Sequence, residues 1–340
     1  MEKVKHIEIT NFKSIKHLEI NDCNMINVFI GMPNAGKSNI LEALANFQYN
    51  IENGNRIYNK IDIKKYPLDE IIRYNLISEL FFEGNINLKS KIKINDLILS
   101  LSYDFKSSNN FNLDDHKFSF EKGSISGNQL LSDQFNDFIK IKFYKFKGFN
   151  FENIINQLTS LNHPFGENLT EIIASNPNLR NVVNDLFKQN NLKLLIEKGT
   201  NKLKIFKEYQ DGTVFSLPYE LIADTLQRLI FYKAAIMSNQ NSVLLFEEPE
   251  AHCFEPYILE FTNAVKYDKN NNQFFIVTHS DFIIQEFLRD KESKKNTTIY
   301  LVNNVDGETK LKLLDKNKNE DVYEFGMNPF FNFENLWENN

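Results

Sequence analysis

Glycine and proline are scarce in this 340-residue chain, at 12 and 8 copies. That scarcity excludes collagen-like repeats and flexible Gly- or Pro-rich segments. Asn, Ile, Lys and Phe are abundant instead, which reads as the codon bias of an AT-rich genome and not as low-complexity disorder. Only two cysteines occur, Cys23 and Cys253, without zinc or disulfide spacing. A disulfide scaffold is excluded, and a reducing cytoplasm is the expected compartment. No apolar stretch is long enough to span a bilayer, and the opening MEKVKHIEIT lacks the apolar core of a signal peptide. No membrane partner is expected. A basic excess is also missing: the net charge is −6. A whole-protein field for nucleic acid is therefore absent, and DNA stays open only through a local patch. Heptads long enough for a coiled-coil arm, a Ser/His/Asp triad and zinc spacing are all lacking.

What is present is an ordinary globular balance, 42% hydrophobic and 25% charged, in a length that suits one large domain or two intimate lobes. Three short segments stand out, in fixed order: Gly31-Met-Pro33-Asn34-Ala35-Gly36-Lys37-Ser38, then Leu244-Leu-Phe-Glu247-Glu248-Pro249-Glu250-Ala-His252, then Ile276-Val-Thr278-His279-Ser280. The first fits the phosphate-binding pattern G-x-x-x-x-G-K-[ST]. The others are apolar runs ending in paired carboxylates and in a polar tip.

Val4 to Ile9 and Ile15 to Ile20 alternate apolar and polar residues around the turn Thr10–Ser14, predicting a β-hairpin. Met25 to Ile30 reads as a strand feeding the glycine loop. Lys37 to Phe47 reads as a helix with Ile40, Leu41, Leu44 and Phe47 on one face. Leu76 to Phe82, Ile86 to Ile94, Leu97 to Tyr103, Lys117 to Phe120 and Lys140 to Phe146 read as strands of an inserted antiparallel subdomain, residues 51–150. Residues 151–214 read as short helices followed by a return hairpin turning at Asp211-Gly212. Ala223 to Met237 reads as a helix, and Val243 to Phe246 and Phe274 to Val277 as buried parallel strands. The expected core is thus 1–50 plus 215–305, with 306–340 as a C-terminal tail.

The chemistry follows from the residue types. Backbone N–H groups of a glycine loop at a helix N-terminus converge on a triphosphate. Lys37 would neutralise the β- and γ-phosphates, Ser38 would ligate Mg²⁺, and Asn34 could reach the γ-phosphate. Two carboxylates at a buried strand end are costly without a cation. Glu247 would hold Mg²⁺ and Glu248 would deprotonate the attacking water. His279 could donate to the γ-phosphate and report its loss. The expected cofactors are ATP and Mg²⁺.

These segments resemble the ABC-type P-loop ATPase class that includes SMC proteins, RecF and the OLD (overcoming-lysogenization-defect) nucleases. The resemblance covers roughly residues 1–50 and 215–300. It implies an α/β fold with a mixed central sheet, an antiparallel β subdomain and a helical insertion. The opening Ile7-Glu-Ile-Thr-Asn11-Phe12-Lys13-Ser14 is similar to the class's start, where this turn lies against adenine and ribose; it carries over Asn11, Phe12, Lys13 and Ser14. The loop carries over Gly31, Pro33, Asn34, Ala35, Gly36, Lys37, Ser38 and Asn39. The EEPEAH and Thr-His-Ser segments are similar to the OLD-like branch and its stand-alone ATPase relatives, including the ATPase of the PARIS antiphage system.

One stretch departs from the class. Where relatives carry a Ser-Asp-Gly-Thr-like signature that contacts ATP on a second subunit, this chain has Ala223-Asp224-Thr225-Leu226-Gln227-Arg228. Asp224 and Arg228 could still act across a dimer; alternatively Asp224 caps a core helix. About sixty residues follow His279, too few for the nuclease domain of OLD proteins. The implied arrangement is a self-associating ATPase, at least a dimer, that senses or assembles and works through a separately encoded effector in defence. A RecF-like DNA-maintenance ATPase and an ATP-binding scaffold without turnover are the rivals. The aromatic stretch Tyr323–Trp337 either docks a partner or packs on its own domain.

Overall fold

The computed structural model describes residues 3–59, 67–103, 116–122, 125–126, 139–148, 159–188, 191–197, 200 and 202–339. Strands β1 (Ile7–Phe12) and β2 (Ile15–Ile20) form the expected hairpin, with Phe12 opposite Ile15. The alternation points Ile15, Leu18 and Ile20 inward and leaves Lys16, His17 and Glu19 in solvent. Strand β3 (Ile26–Ile30) is buried throughout and runs into the glycine loop and helix α1 (Lys37–Asn59).

Ile40, Leu41, Leu44 and Phe47 are buried as the spacing predicts, but Glu42, Ala43, Ala45 and Asn46 are buried too. The reason is that α1 lies between two sheets. Its buried side chains join one core with Ile7, Ile9, Ile92 and Leu99 on one side and Phe29, Leu245 and Phe275 on the other. Each large apolar side chain removed from water there contributes about 1.5–3 kcal/mol.

The short helix α2 (Leu68–Ile71) follows. A strand was expected over Leu76 to Phe82, and 3₁₀ turns at Ile77–Leu80 and Phe82–Gly84 are found instead. The Glu79 carboxylate accepts from the Asn75 N–H at 2.8 Å, and Glu83 and Gly84 take positive φ, so the segment coils back on itself. Only Phe81 forms a bridge, to Phe12. Next come β4 (Ser90–Ile94), β5 (Leu97–Tyr103), β6 (His116–Lys122) and β7 (Ile125–Ser126). They form one antiparallel sheet with the N-terminal hairpin, in the order β2-β1-β4-β5-β6-β7. The hairpin assigned to the ATPase core therefore also supplies two strands of the antiparallel layer, at one of its edges.

Strand β8 (Ile141–Tyr144) corrects the expected 51–150 boundary. It pairs in parallel with β12 (Val243–Glu247), with Ile141 opposite Val243, and so belongs to the central sheet. Ile141, Phe143 and Tyr144 are buried, as an edge covered on both faces requires. Helices α3 (Leu169–Ser175) and α4 (Pro177–Lys188) precede a three-stranded sheet of β9 (Lys193–Glu197), β10 (Lys202–Glu208) and β11 (Val214–Pro218). The Asp211-Gly212 turn is as predicted, with Gly212 at φ 81° and the Asp211 carboxylate accepting from Thr213. The part of the expected helical region at 151–158 lies outside the described residues.

Helix α5 (Asp224–Ser238), β12, α6 (Glu255–Lys266), β13 (Gln273–Val277), α7 (Asp281–Leu288), α8 (Lys291–Asn296), β14 (Thr297–Val305) and β15 (Glu308–Leu313) complete the lobe, followed by α9 (Lys316–Glu324) and α10 (Phe333–Glu338). The central order is β15-β14-β3-β13-β12-β8, with only β15 antiparallel. Residues 308–313, expected in the tail, are thus an edge strand of this sheet; the positive-φ pair Asp306-Gly307 turns the chain back.

The apolar runs are continuous because both sheet faces are dry. Phe29, Leu245 and Phe275 face the α1 core, whereas Val28, Leu244, Phe246 and Phe274 face a second core built with α3 to α7. Parallel strands β3, β13, β12 and β8 end on the same sheet edge, and the three chemistry-bearing loops leave from three of those ends.

Candidate nucleotide site

The glycine loop begins where β3 passes close to β14. A Cβ on Gly31 would lie 2.0 Å from the Val302 carbonyl oxygen, so only glycine fits there. Gly36 takes φ +90°, and a Cβ there would lie 1.9 Å from Thr309 Oγ1. Met32, Pro33 and Asn34 form an exposed tip, with Asn34 at φ 60°, and Ala35 turns into the core. The Lys37 ammonium folds back on this loop, donating to Gly31 O at 3.0 Å and Met32 O at 2.9 Å. Burial pushes its pKa down to about 8, while Glu248, Glu247 and Glu250 act in the opposite sense. The loop is thus a charged cradle whose cation sits within the field of the three glutamates.

Opposite stands the end of β12. Glu248 N–H donates to Val277 O at 2.8 Å, so the ladder with β13 runs one residue past the strand. Glu248 then takes φ 45°, a conformation rare for a non-glycine residue, and its side chain is half-exposed. His279 Nε2 lies 3.6 Å from Glu248 Oε1. Burial and the nearby Lys37 cation hold the imidazole pKa below its ordinary value, with Glu248 pulling the other way. Lys37, Glu248 and His279 therefore lie near one another beside the loop.

Arg73 is a site residue that no motif announces. Its Nη2 donates to Glu247 Oε1 at 3.1 Å and its Nε to Glu42 Oε1 at 2.8 Å. The fully buried Glu42 carboxylate also receives the Lys13 ammonium. Stripping a buried carboxylate of its partners costs about 3–5 kcal/mol, so this cluster fixes the turn to α1. Lys145, just past β8, is held below its usual pKa by burial and feels Glu42 and Glu247. Arg73 is flanked by Ile72 and Tyr74, and Lys145 follows directly on the last strand residue Tyr144, so neither carries a sequence signal.

In the N-terminal turn, Asn11 and Lys13 take φ 55° and 49°, and Asn11 Nδ2 donates to Lys89 O. Ser14 Oγ is 2.6 Å from Thr309 Oγ1 and accepts from Asn39 Nδ2 at 2.7 Å, joining the turn, β15 and α1. A cleft of ≈ 400 Å³ opens beside Lys13, Ser14, Arg73, Phe81, Phe82 and Gly307. Phe12, expected to touch the nucleotide, is fully buried and anchors the turn from beneath instead.

At the start of α5 the N-cap is Ala223 and no side chain caps it, which corrects the capping alternative for Asp224. Asp224 instead accepts from Arg228 Nε at 2.7 Å, and the guanidinium lies 4.6 Å from the centre of the Phe146 ring. Thr225 Oγ1 donates to His252 O at 2.9 Å, tying this helix to the loop after Glu248. In the C-terminal segment Phe330 stacks on His279, with ring centroids 6.2 Å apart, and Phe333 stacks on Trp337 at 6.3 Å. That segment packs on its own lobe, although Phe325 and Phe331 remain exposed.

The divalent-metal expectation can be tested on the donors. Ser38 and Glu247 offer oxygen ligands at the loop, and Glu247 already attracts a cationic group, Arg73. Among the described residues no three His, Cys, Asp or Glu side chains cluster as a metal cage. Mg²⁺ takes one or two protein oxygens and completes its shell with phosphates and water, so the hydroxyl of Ser38 and the carboxylate of Glu247 fit it as donors. Among the described residues no helix is long and apolar enough to cross a membrane.

Residues 26–285 match the family described as "AAA domain, putative AbiEii toxin, Type IV TA system". The chain is 25% identical over 351 residues to an "ATP/GTP phosphatase" of Helicobacter pylori, covering 87% of this chain and 91% of that protein. It is 29% identical over 107 residues to the DNA replication and repair protein RecF of Clostridium perfringens, covering 28% of this chain and 30% of that protein. In fold it is similar to an SMC head bound to the C-terminal winged-helix domain of ScpA, with TM-score 0.57 and 16% identity over 93% of this chain and 99% of that one. The family match spans most of the chain and contains the glycine loop, Glu248 and His279: this protein belongs to that AAA-domain family, and it has a P-loop ATPase fold similar to that of an SMC head.

Proposed function

We propose that the protein is a Mg²⁺-dependent ATPase of OLD-like type whose nucleotide state gates assembly with a separately encoded effector in toxin-type or antiphage defence. The observation that carries the catalytic part is the meeting of Lys37, Glu248 and His279 beside one glycine loop. Backbone N–H groups of residues 34–38 receive the phosphates, and Lys37 exchanges its loop carbonyls for phosphate oxygens. Ser38 and Glu247 would hold Mg²⁺. When bound it neutralises phosphate charge and orients the leaving group. Glu248 accepts the proton of the attacking water, and His279 donates to the γ-phosphate. The cleft beside Lys13 and Ser14 takes the adenosine end, its floor formed by Phe81 and Phe82.

The family description supports a defence setting, and the SMC-head likeness in fold supports a lobe that works in pairs. Asp224 and Arg228 contact a neighbour's nucleotide only if their own pair opens, because Phe146 and Asp224 hold the guanidinium within the subunit. Assembly is therefore expected without ATP as well as with it. Sizing by light scattering, with and without ATP–Mg²⁺ at micromolar concentration, should give a dimer or larger in both conditions. A strict monomer in both removes the trans-subunit reading and leaves Asp224–Arg228 as an ordinary i,i+4 pair.

A further inference from the structure

Glu250 is the one carboxylate of the Glu-Glu-Pro-Glu segment without a role in the reading above. It reaches across to the end of β13. Its Oε1 accepts two hydrogen bonds there, from Thr278 Oγ1 at 2.8 Å and from the His279 backbone N–H at 2.6 Å. Its Oε2 is buried and has no hydrogen-bond partner among the described residues. A buried carboxylate oxygen without a partner is costly. Burial accordingly raises the Glu250 pKa, against the pull of the His279 N–H and Thr278.

The contact does not stop at His279. Thr278 Oγ1 also accepts from the Ser280 N–H at 3.0 Å, and Ser280 Oγ caps α7 by accepting from Ile283 N–H. On the other side, Ala251 N–H donates to Glu248 O and Cys253 N–H to Glu250 O, which folds the loop after β12 into consecutive turns. Glu250 is therefore the side-chain bridge between the loop that carries the general base and the tip that carries the γ-phosphate donor. Without it, the two tips keep the β12–β13 ladder and the 3.6 Å approach of His279 Nε2 to Glu248 Oε1, but lose the bond that fixes the His279 backbone.

We propose that Glu250 is a positioning residue: its Oε1 fixes the His279 backbone so that the imidazole and the Glu248 carboxylate face the same γ-phosphate. The inference rests on the hydrolytic roles given above to Glu248 and His279. It concerns hydrogen bonds accepted by one oxygen, so glutamine should replace glutamate, because its amide oxygen accepts both bonds.

The test compares Glu250→Ala, Glu250→Gln, His279→Ala and the double variant Glu250→Ala/His279→Ala in steady-state ATP hydrolysis. Small displacements of a catalytic group cost about tenfold to a hundredfold in rate. Glu250→Ala should therefore lose about that much kcat with KM changed less than about threefold, while Glu250→Gln stays within about threefold of the parent. In the double variant the Glu250 change should add nothing to the His279 loss, the signature of two residues acting as a unit. A readout independent of turnover is amide hydrogen exchange at His279: protection should persist in Glu250→Gln and vanish in Glu250→Ala. Full kcat in Glu250→Ala, equal losses in the alanine and glutamine variants, multiplying losses in the double variant, or unchanged His279 protection would each overturn the proposal. The parent's own turnover and its loss in Glu248→Gln report separately on the ATPase reading.

Discussion

Glu248→Gln should bind ATP as tightly as the parent and hydrolyse it at least about a hundredfold more slowly. The amide keeps the size of the carboxylate but cannot accept the proton of the attacking water. The side chain is half-exposed, so the change leaves no buried group unpaired. The backbone at φ 45° is unaltered, because glutamine bears the same constraints as glutamate there. Stability should thus stay near that of the parent, and the loss should fall on kcat alone. Nucleotide binding by calorimetry and phosphate release measured together distinguish this from loss of the site. A variant that hydrolyses at the parent rate would place the general base elsewhere.

Lys37→Ala should abolish binding at working ATP concentrations. Lys37 is the only cationic side chain within the loop itself, and it is aimed inward by Gly31 O and Met32 O. Charge-assisted bonds to phosphate contribute several kcal/mol, so affinity should fall by about a hundredfold or more. A second effect acts in the same direction. Without the ammonium, the field of Glu247, Glu248 and Glu250 loses one of its counter-charges at the loop and repels the triphosphate more strongly. Near-parent affinity in this variant would remove the site assignment.

Much of this site was legible in the sequence, and the reason is physical. The glycine loop and the two apolar strands with polar tips are short local patterns whose chemistry needs those residues in that order. The parallel sheet then brings the three tips to one edge without further instruction. Glu250 was visible only as part of a motif; its bridge to Thr278 and His279 depends on which way two loops turn, which no local pattern encodes. Arg73 and Thr309 were invisible for the same reason, because each reaches the site from an element distant in sequence. The misplaced strand β8 follows the same logic. A buried edge strand and a strand of an antiparallel layer have similar composition, and only the partner, here β12, separates them. Phe12 is instructive in the other direction. A residue carried over by resemblance to a binding turn proves to be the hydrophobic foot of that turn.

The most direct test of the central claim is phosphate release by the purified parent protein with ATP, in Mg²⁺ and in excess chelator. The account predicts steady turnover in Mg²⁺ that is lost with chelator and lost in Glu248→Gln. Binding of ATP with no phosphate release in Mg²⁺ would contradict it and leave the protein an ATP-binding scaffold.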